Sequence, residues 1–305
     1  MNVYINDNLM TDAPNTCTYT VYLSGRCNSL DMVFDDSEGA IKALELEKGD
    51  TVQALEGNVD TGEMYISGID YSGTQAAIRA LSLPLSAFKT KTQYWENASL
   101  TAIITDALED TDLDIEYQDK PKFTYKEVAM IEEEPVKFVA GRLSLEGFGI
   151  RIENGKAIIY DEKKIENEEY ELQATEDSFS EAPTYSTRDA GLISRVENSY
   201  KTADGKQIST VTKSGIEGKI LRMNMAVDSV GESIRFSNGM MRAANKTEFL
   251  AEGSMENLDH SVGEVIYIAD APKGHTGENL IYMIRNDLAN NKQTLYMRRP
   301  IEGDY

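Results

Sequence analysis

Hydrophobic and polar positions alternate with a period of two near the start of the chain. Tyr19, Val21 and Leu23 are interleaved with Thr20, Tyr22 and Ser24, and Leu30, Met32 and Phe34 with Asp31, Val33 and Asp35. That period sends successive side chains to opposite faces, as expected of strands with one buried face. Turn signals at Gly25, Gly39, Gly49-Asp50, Asn58, Thr61-Gly62 and Ser72-Gly73 recur at roughly the 8 to 12 residue spacing of short antiparallel strands. No long stretch of 3.6-residue period interrupts them. Residues 1–88 therefore read as an N-terminal antiparallel β-barrel or sandwich.

From residue 89 the period changes. Leu100, Ile103, Ile104, Ala107 and Leu108 fall on one helical face, with Asn97 or Ser99 as the N-cap. A second helix is predicted to start at Pro135, whose missing N–H costs nothing in a first turn, and to stop at Gly147. It would carry Val136, Val139, Ala140 and Leu143 inward. Two alternating strands then flank Asn154-Gly155, the strongest short-range hairpin signal. An acidic, loop-like stretch from Glu166 to Glu181 follows and reads as a connector. Residues 89–183 are thus a small α/β domain plus acidic connector.

Residues 184–305 return to the strand period and echo the first segment. Gly49-Asp50-Thr51-Val52, Thr61-Gly62-Glu63, Tyr65-Ile66 and Gly68-Ile69-Asp70 are followed by Gln75 before Ile78 and Ala80. Gly263-Glu264-Val265-Ile266, Thr276-Gly277-Glu278, Tyr282-Met283 and Ile284-Arg285 are followed by Gln293 before Leu295 and Met297. Two readings stay open: a duplicated barrel interrupted by the α/β unit, or the likeness that any two Gly-rich meanders share. The fold class expected is mainly β with an inserted α/β unit, two antiparallel β-barrels flanking it.

Composition narrows the function. The 305 residues carry 30 Lys and Arg against 52 Asp and Glu, a formal net charge of −22. That sign is wrong for direct nucleic-acid binding or for anionic membrane surfaces. By segment the nets are −9, −12 and −1 for residues 1–88, 89–183 and 184–305, so the acidity lies in the first two. Nothing approaches the ~18 consecutive apolar residues of a membrane span. The polar N-terminus lacks the basic and apolar regions of a secretory signal, and the expected place of synthesis is a bacterial cytoplasm. Two cysteines, Cys17 and Cys27, and two histidines, His260 and His275, support neither a zinc cluster nor a disulfide framework. Reduced, partly buried thiols are expected.

Candidate chemistry is sparse, and no catalytic, cofactor-binding or metal residue is assigned. Walker A, dinucleotide-fingerprint and H-E-x-x-H motifs do not occur. Asp110, Asp112 and Asp114 resemble the start of a calcium loop, but its sixth position is Ile115 and its twelfth Pro121, in place of Gly and Glu. Glu132, Glu133 and Glu134 read as a solvated helix entry. His260 and His275 read as surface or hydrogen-bonding residues. Trp95 beside Tyr94 could stack on a sugar, but anchoring of the strand-to-helix junction is the favoured reading. Arg285, Lys292, Arg298 and Arg299 form either a rim for an acidic neighbour or the solvated face of two strands.

Three runs carry a resemblance to a known family. They are Tyr94-Trp95-Glu96-Asn97-Ala98-Ser99-Leu100; Phe138 through Gly147-Phe148 before the Asn154-Gly155 hairpin; and Gly263 through Tyr282-Met283-Ile284 to Leu295-Tyr296-Met297-Arg298. In order and spacing the chain resembles the tail or baseplate hub protein of contractile phage tails and phage-tail-like particles, the late control protein D-like and defective-prophage hub type. The resemblance implies a ring-shaped homotrimer whose paired barrels look like tail-tube subunits, adapting a sixfold tail tube to a threefold central spike. Partners would be the tail tube or tube-initiator protein, other baseplate proteins, and a spike on a separate polypeptide, since no spike-like repeat precedes Tyr305. Cyclic symmetry gives the geometric basis, because three copies of a doubled barrel present six quasi-equivalent units. A trimer would carry about −66, so stability is expected to rise with moderate salt. The alternative is a β-rich module binding cell-surface glycan or protein on a tail particle. An enzyme is not expected.

Overall fold

A computed structural model describes residues 1–170, 172–301, 303 and 305; Glu171, inside the acidic stretch, lies outside them. The chain is mainly β, with several antiparallel sheets. The largest has fourteen strands and follows an open path from Thr184–Thr187 at one end to Asn8–Leu9 at the other. The predicted alternation holds along it: Leu30, Met32 and Phe34 are buried, as are Tyr19 and Leu23.

Two stretches of this sheet repeat one connectivity. In the first the strands are Thr16–Tyr22, Ser29–Asp35, Thr51–Glu56, Met64–Ser72 and Gln75–Leu81. In the second they are Thr184–Thr187, Phe249–Glu256, Val265–Ile268, Gly277–Asp287 and Lys292–Arg298. In both, the spatial order is first, second, fifth, fourth, third. Their registers also agree. The fourth strand is bulged against the fifth between Ile66 and Gly68 in one unit and between Ile281 and Met283 in the other, each three to five residues after the Thr-Gly-Glu turn. Gly49 N–H donates to Ile66 O and Ile66 N–H to Asp50 O, while Gly263 donates to Ile281 O and Ile281 to Glu264 O. Both glycines have φ +95°, a left-handed conformation that glycine adopts without a Cβ penalty. A bulge and a positive-φ glycine turn at matching places are specific features, not the common currency of meanders.

The units are joined edge to edge. Residues 283–287 of the second pair antiparallel with Tyr22 to Thr18 of the first. Thr16–Tyr22 therefore uses both edges, one for its own unit and one for the other, and the sheet stays open in its hydrogen-bonded order. Each unit keeps its own core, Leu30, Met32, Ile66 and Ile78 in the first and Ile281, Ile284, Leu295 and Met297 in the second, and Val21 packs against both.

Between the units lies the predicted α/β segment. Helix α1 (Leu100–Leu108) is capped by Ser99, whose Oγ accepts from Ala102 N–H at 3.2 Å, and buries Leu100, Ile103, Ile104, Ala107 and Leu108. Helix α2 (Pro135–Leu145) starts on its proline and buries Phe138, Val139 and Leu143, while Val136 and Ala140 are half-buried. Phe148–Glu153 and Lys156–Asp161 form the expected hairpin around Asn154 and Gly155, with φ of 51° and 68°. Both positive values mark the turn whose twist matches antiparallel strands. A short helix, α3 (Glu162–Glu166), leads into the connector.

One helix departs from the expectation for residues 184–305. Helix α4 (Val230–Asn245) sits between the first and second strands of the second unit, behind a sheet of Ile193–Lys201, Gln207–Lys213 and Lys219–Met223. Its Phe236, with Ile208 and Val227, joins the core of the α/β segment. Low-propensity Gly231, Ser233, Ser237, Asn238 and Gly239 conceal it in the sequence. Gly239 is there for packing: a Cβ would lie 2.5 Å from the main-chain oxygens of Ser144 and Leu145, where α4 meets α2.

Candidate functional site: open sheet edges beside an ionic seam

The connector, α4 and the last strand meet at a buried ionic seam. Glu166 accepts from Arg242 through Oε2, and its Oε1 lies 2.6 Å from Arg298 Nη2. All three side chains are almost fully buried. Beside them Lys246 Nζ donates to both oxygens of Glu162 at 2.6 Å. Burial works to raise the Glu162 pKa, but Lys246, with Arg298 and Arg242 behind it, holds the carboxyl below its usual range. A buried ion pair is costly to desolvate, and removing one partner is costlier still because the other charge is stranded. The seam therefore fixes the connector onto the second unit. A cavity of about 280 Å³ opens beside it, lined by Tyr160, Glu162, Arg188, Lys246, Tyr282 and Arg298.

A second ionic contact joins α2 to α4. Arg235 donates to both oxygens of Glu146, which also accepts from the Tyr125 hydroxyl at 2.8 Å. Arg142 stacks over Tyr125 and Phe236 at 4.5 and 5.3 Å. These contacts tie the α/β segment to the helix inserted in the second unit.

The residues singled out in the sequence scatter. Arg298 is not on a rim, nor on a solvated face: it is a seam residue, 6% exposed. Arg299 donates to Gly274 O and stacks on Phe249. Trp95 is buried, stacked on Phe138 at 5.6 Å, and donates to Asp106; its ring is a junction anchor and presents no platform to a sugar. Asp110 pairs with Lys91, and Glu134 precedes α2 while Glu132 and Glu133 are exposed. His260 meets Glu264 and Gln293. His275 is buried between Tyr185 and Phe249, near Thr187 Oγ1, and burial followed by Arg299 depresses its pKa. Cys17 and Cys27 are free thiols, and burial pushes Cys17 up to about 12. Glu166, Arg242 and Glu162 went unassigned in the sequence, because pairing across 76 and 84 positions leaves no local pattern.

The sheet has unused edges as well. Thr184–Thr187 pairs with Phe249–Glu256 on one side and, among the described residues, with no strand on the other. On Met64–Ser72, the edge facing Thr51–Glu56 is paired at Tyr65 and Met64 and hydrogen-bonded at Ile66; beyond Gly68 it meets no strand among the described residues, and Tyr71 is 48% exposed.

Known structures share this fold over almost the whole chain. The 43 kDa tail protein of prophage MuSo2 from Shewanella oneidensis superposes with a TM-score of 0.77 at 12% identity, covering 98% of each chain. A tail protein from Neisseria meningitidis MC58 also gives 0.77, at 8% identity, over 97% of this chain and 95% of that one. The E. coli c3393 protein, described as a type VI secretion component structurally similar to the T4 tail proteins gp27 and gp5, gives 0.61 at 14% identity, over 97% of this chain and 76% of its own. No protein-family model matches the sequence, and no curated protein matches it. The chain has the fold of phage tail proteins.

Proposed function

We propose that this chain is a structural hub in the baseplate of a phage tail or phage-tail-like particle. It acts as a ring-shaped homotrimer that adapts a sixfold tail tube to a threefold central spike. The two sheet units serve as the two tube-like barrels of each copy. Their shared strand order, register and bulge carry the reading, because only near-equivalent units allow three chains to present six similar surfaces. Fold similarity to tail proteins across the whole chain supports it, as does the likeness of the c3393 protein to T4 tail proteins. The role is geometric. The seam at Glu166 and the Glu146–Arg235 contact hold the second unit against the connector and the α/β segment, and the pairing of residues 283–287 with Tyr22 to Thr18 holds it to the first, so that load passes between tube and spike without separating them.

The protein is made in the bacterial cytoplasm and incorporated in the particle. Its partners are the tube or tube-initiator protein, the central spike and other baseplate proteins. Mixing the purified chain with the tube protein of the same particle tests the adaptor role. The expected complex holds three copies of this chain per six tube subunits. Absence of any complex at concentrations where the tube protein polymerises would contradict it.

A further inference from the structure

The two units are equivalent strand for strand, yet one of their edges is filled and its counterpart is not. In the second unit the fourth strand continues past its bulge, and Met283, Ile284, Arg285, Asn286 and Asp287 pair with Tyr22, Val21, Thr20, Tyr19 and Thr18, the first strand of the other unit. The matching bulges make Gly68 the counterpart of Met283, and hence Ser72 that of Asp287. The matching registers make Thr184, Tyr185 and Ser186 the counterparts of Thr18, Tyr19 and Thr20. Tyr19 faces Leu30 and Leu30 faces Ala80, just as Tyr185 faces Ala251 and Ala251 faces Met297.

Among the described residues of one chain, 68–72 have no strand on this edge and Thr184–Thr187 has none on its outer edge. Both have the hydrogen-bonding parity of their filled counterparts. Leu23 N–H points across the junction to Tyr282 O, so Tyr19 and Val21 point the same way, and Tyr185 and Thr187 inherit that direction. Arg188 N–H, like that of Tyr22, is used on the inner side. Exposed strand edges invite pairing with another chain.

We infer that Thr184–Thr187 of one copy adds as an antiparallel strand to residues 68–72 of the next, in the register Thr184 to Ser72, Tyr185 to Tyr71, Ser186 to Asp70 and Thr187 to Ile69. The contact repeats between copies the junction already made within each chain, so one sheet runs continuously around the assembly. It stacks exposed Tyr71 against half-buried Tyr185, and sets exposed Arg188 near Asp70. Two different patches make a head-to-tail contact, the kind that forms a ring when the rotation from copy to copy closes. The inference rests on the ring reading above and specifies its contact.

Cysteine cross-linking of the full chain tests it. Directly opposed residues of an antiparallel pair have Cα atoms roughly 4.5 to 5.5 Å apart, within disulfide reach. Ser72→Cys with Thr184→Cys, both exposed positions, is expected to give covalent dimers and trimers under mild oxidation. The yield should be at least about tenfold above that of Ser72→Cys with Ser186→Cys, whose partners would be two residues out of register. Equal yields, or no cross-link in a chain that still assembles, would overturn the strand pairing and leave the ring reading standing. A chain that stays monomeric at every concentration would overturn both.

Discussion

Glu166 is the side chain on which most of the seam depends. It sits between Arg242 and Arg298 with almost no exposure, so a neutral substitute leaves two guanidinium groups in a dry site with less compensation. Glu166→Gln is expected to lower unfolding stability by about 3 to 5 kcal/mol, read by chemical denaturation. A loss under about 1 kcal/mol, the range of surface pairs, would mean that the seam is solvated and does not fix the connector. The sequence marks Glu166 only as the start of an acidic run. Its neighbours Glu168 and Glu169 are exposed; Glu166 differs because α3 turns it toward Arg242, a partner 76 positions away. Arg298 was misplaced for the same reason. Its strand alternates as expected, but the face it occupies is closed by an element that local periodicity does not reveal.

Local elements were the more legible level. Ser99 capping α1, Pro135 opening α2 and Asn154-Gly155 turning the hairpin each act within four residues, and each appears where the residues place it. Helix α4 also had a local signal. Ser229 Oγ accepts from Glu232 N–H, and the Glu232 carboxylate turns back to Asp228 N–H at 2.7 Å, a variant of the capping box legible as Ser229-Val230-Gly231-Glu232. The glycines and serines after it masked the apolar face. Gly239→Ala separates the two demands on this helix. Alanine favours an isolated helix by up to about 1 kcal/mol, but its Cβ would strike the α2 carbonyls, so a net loss of about 1 to 3 kcal/mol is expected. A thermal melt showing stabilisation would contradict the close packing of α4 on α2.

At the scale of the whole molecule, the internal repeat accounts for features that single residues do not. The turn residues Gly49 and Gly263 suggested a duplication, but alternation alone could not separate it from two unrelated meanders. The strand order and the matched bulges carry that distinction, because they record which strands pair, a long-range property. Edge-to-edge joining of the units was not legible either, since Thr18 and Asp287 are far apart in sequence. The repeat also gives the charge a place. Residues 1–183 hold −21 of the −22, so copies in a ring repel at low ionic strength, and screening over about 8 Å at physiological salt relieves this more than it weakens contacts at a shared strand edge. The most direct test of the central claim is the mass of the purified chain in solution by sedimentation velocity, at about 0.02 M and about 0.15 M salt. The account predicts a closed species of three times the 33.9 kDa chain mass, more populated at the higher salt. A monomer at both salts and across concentration would contradict it.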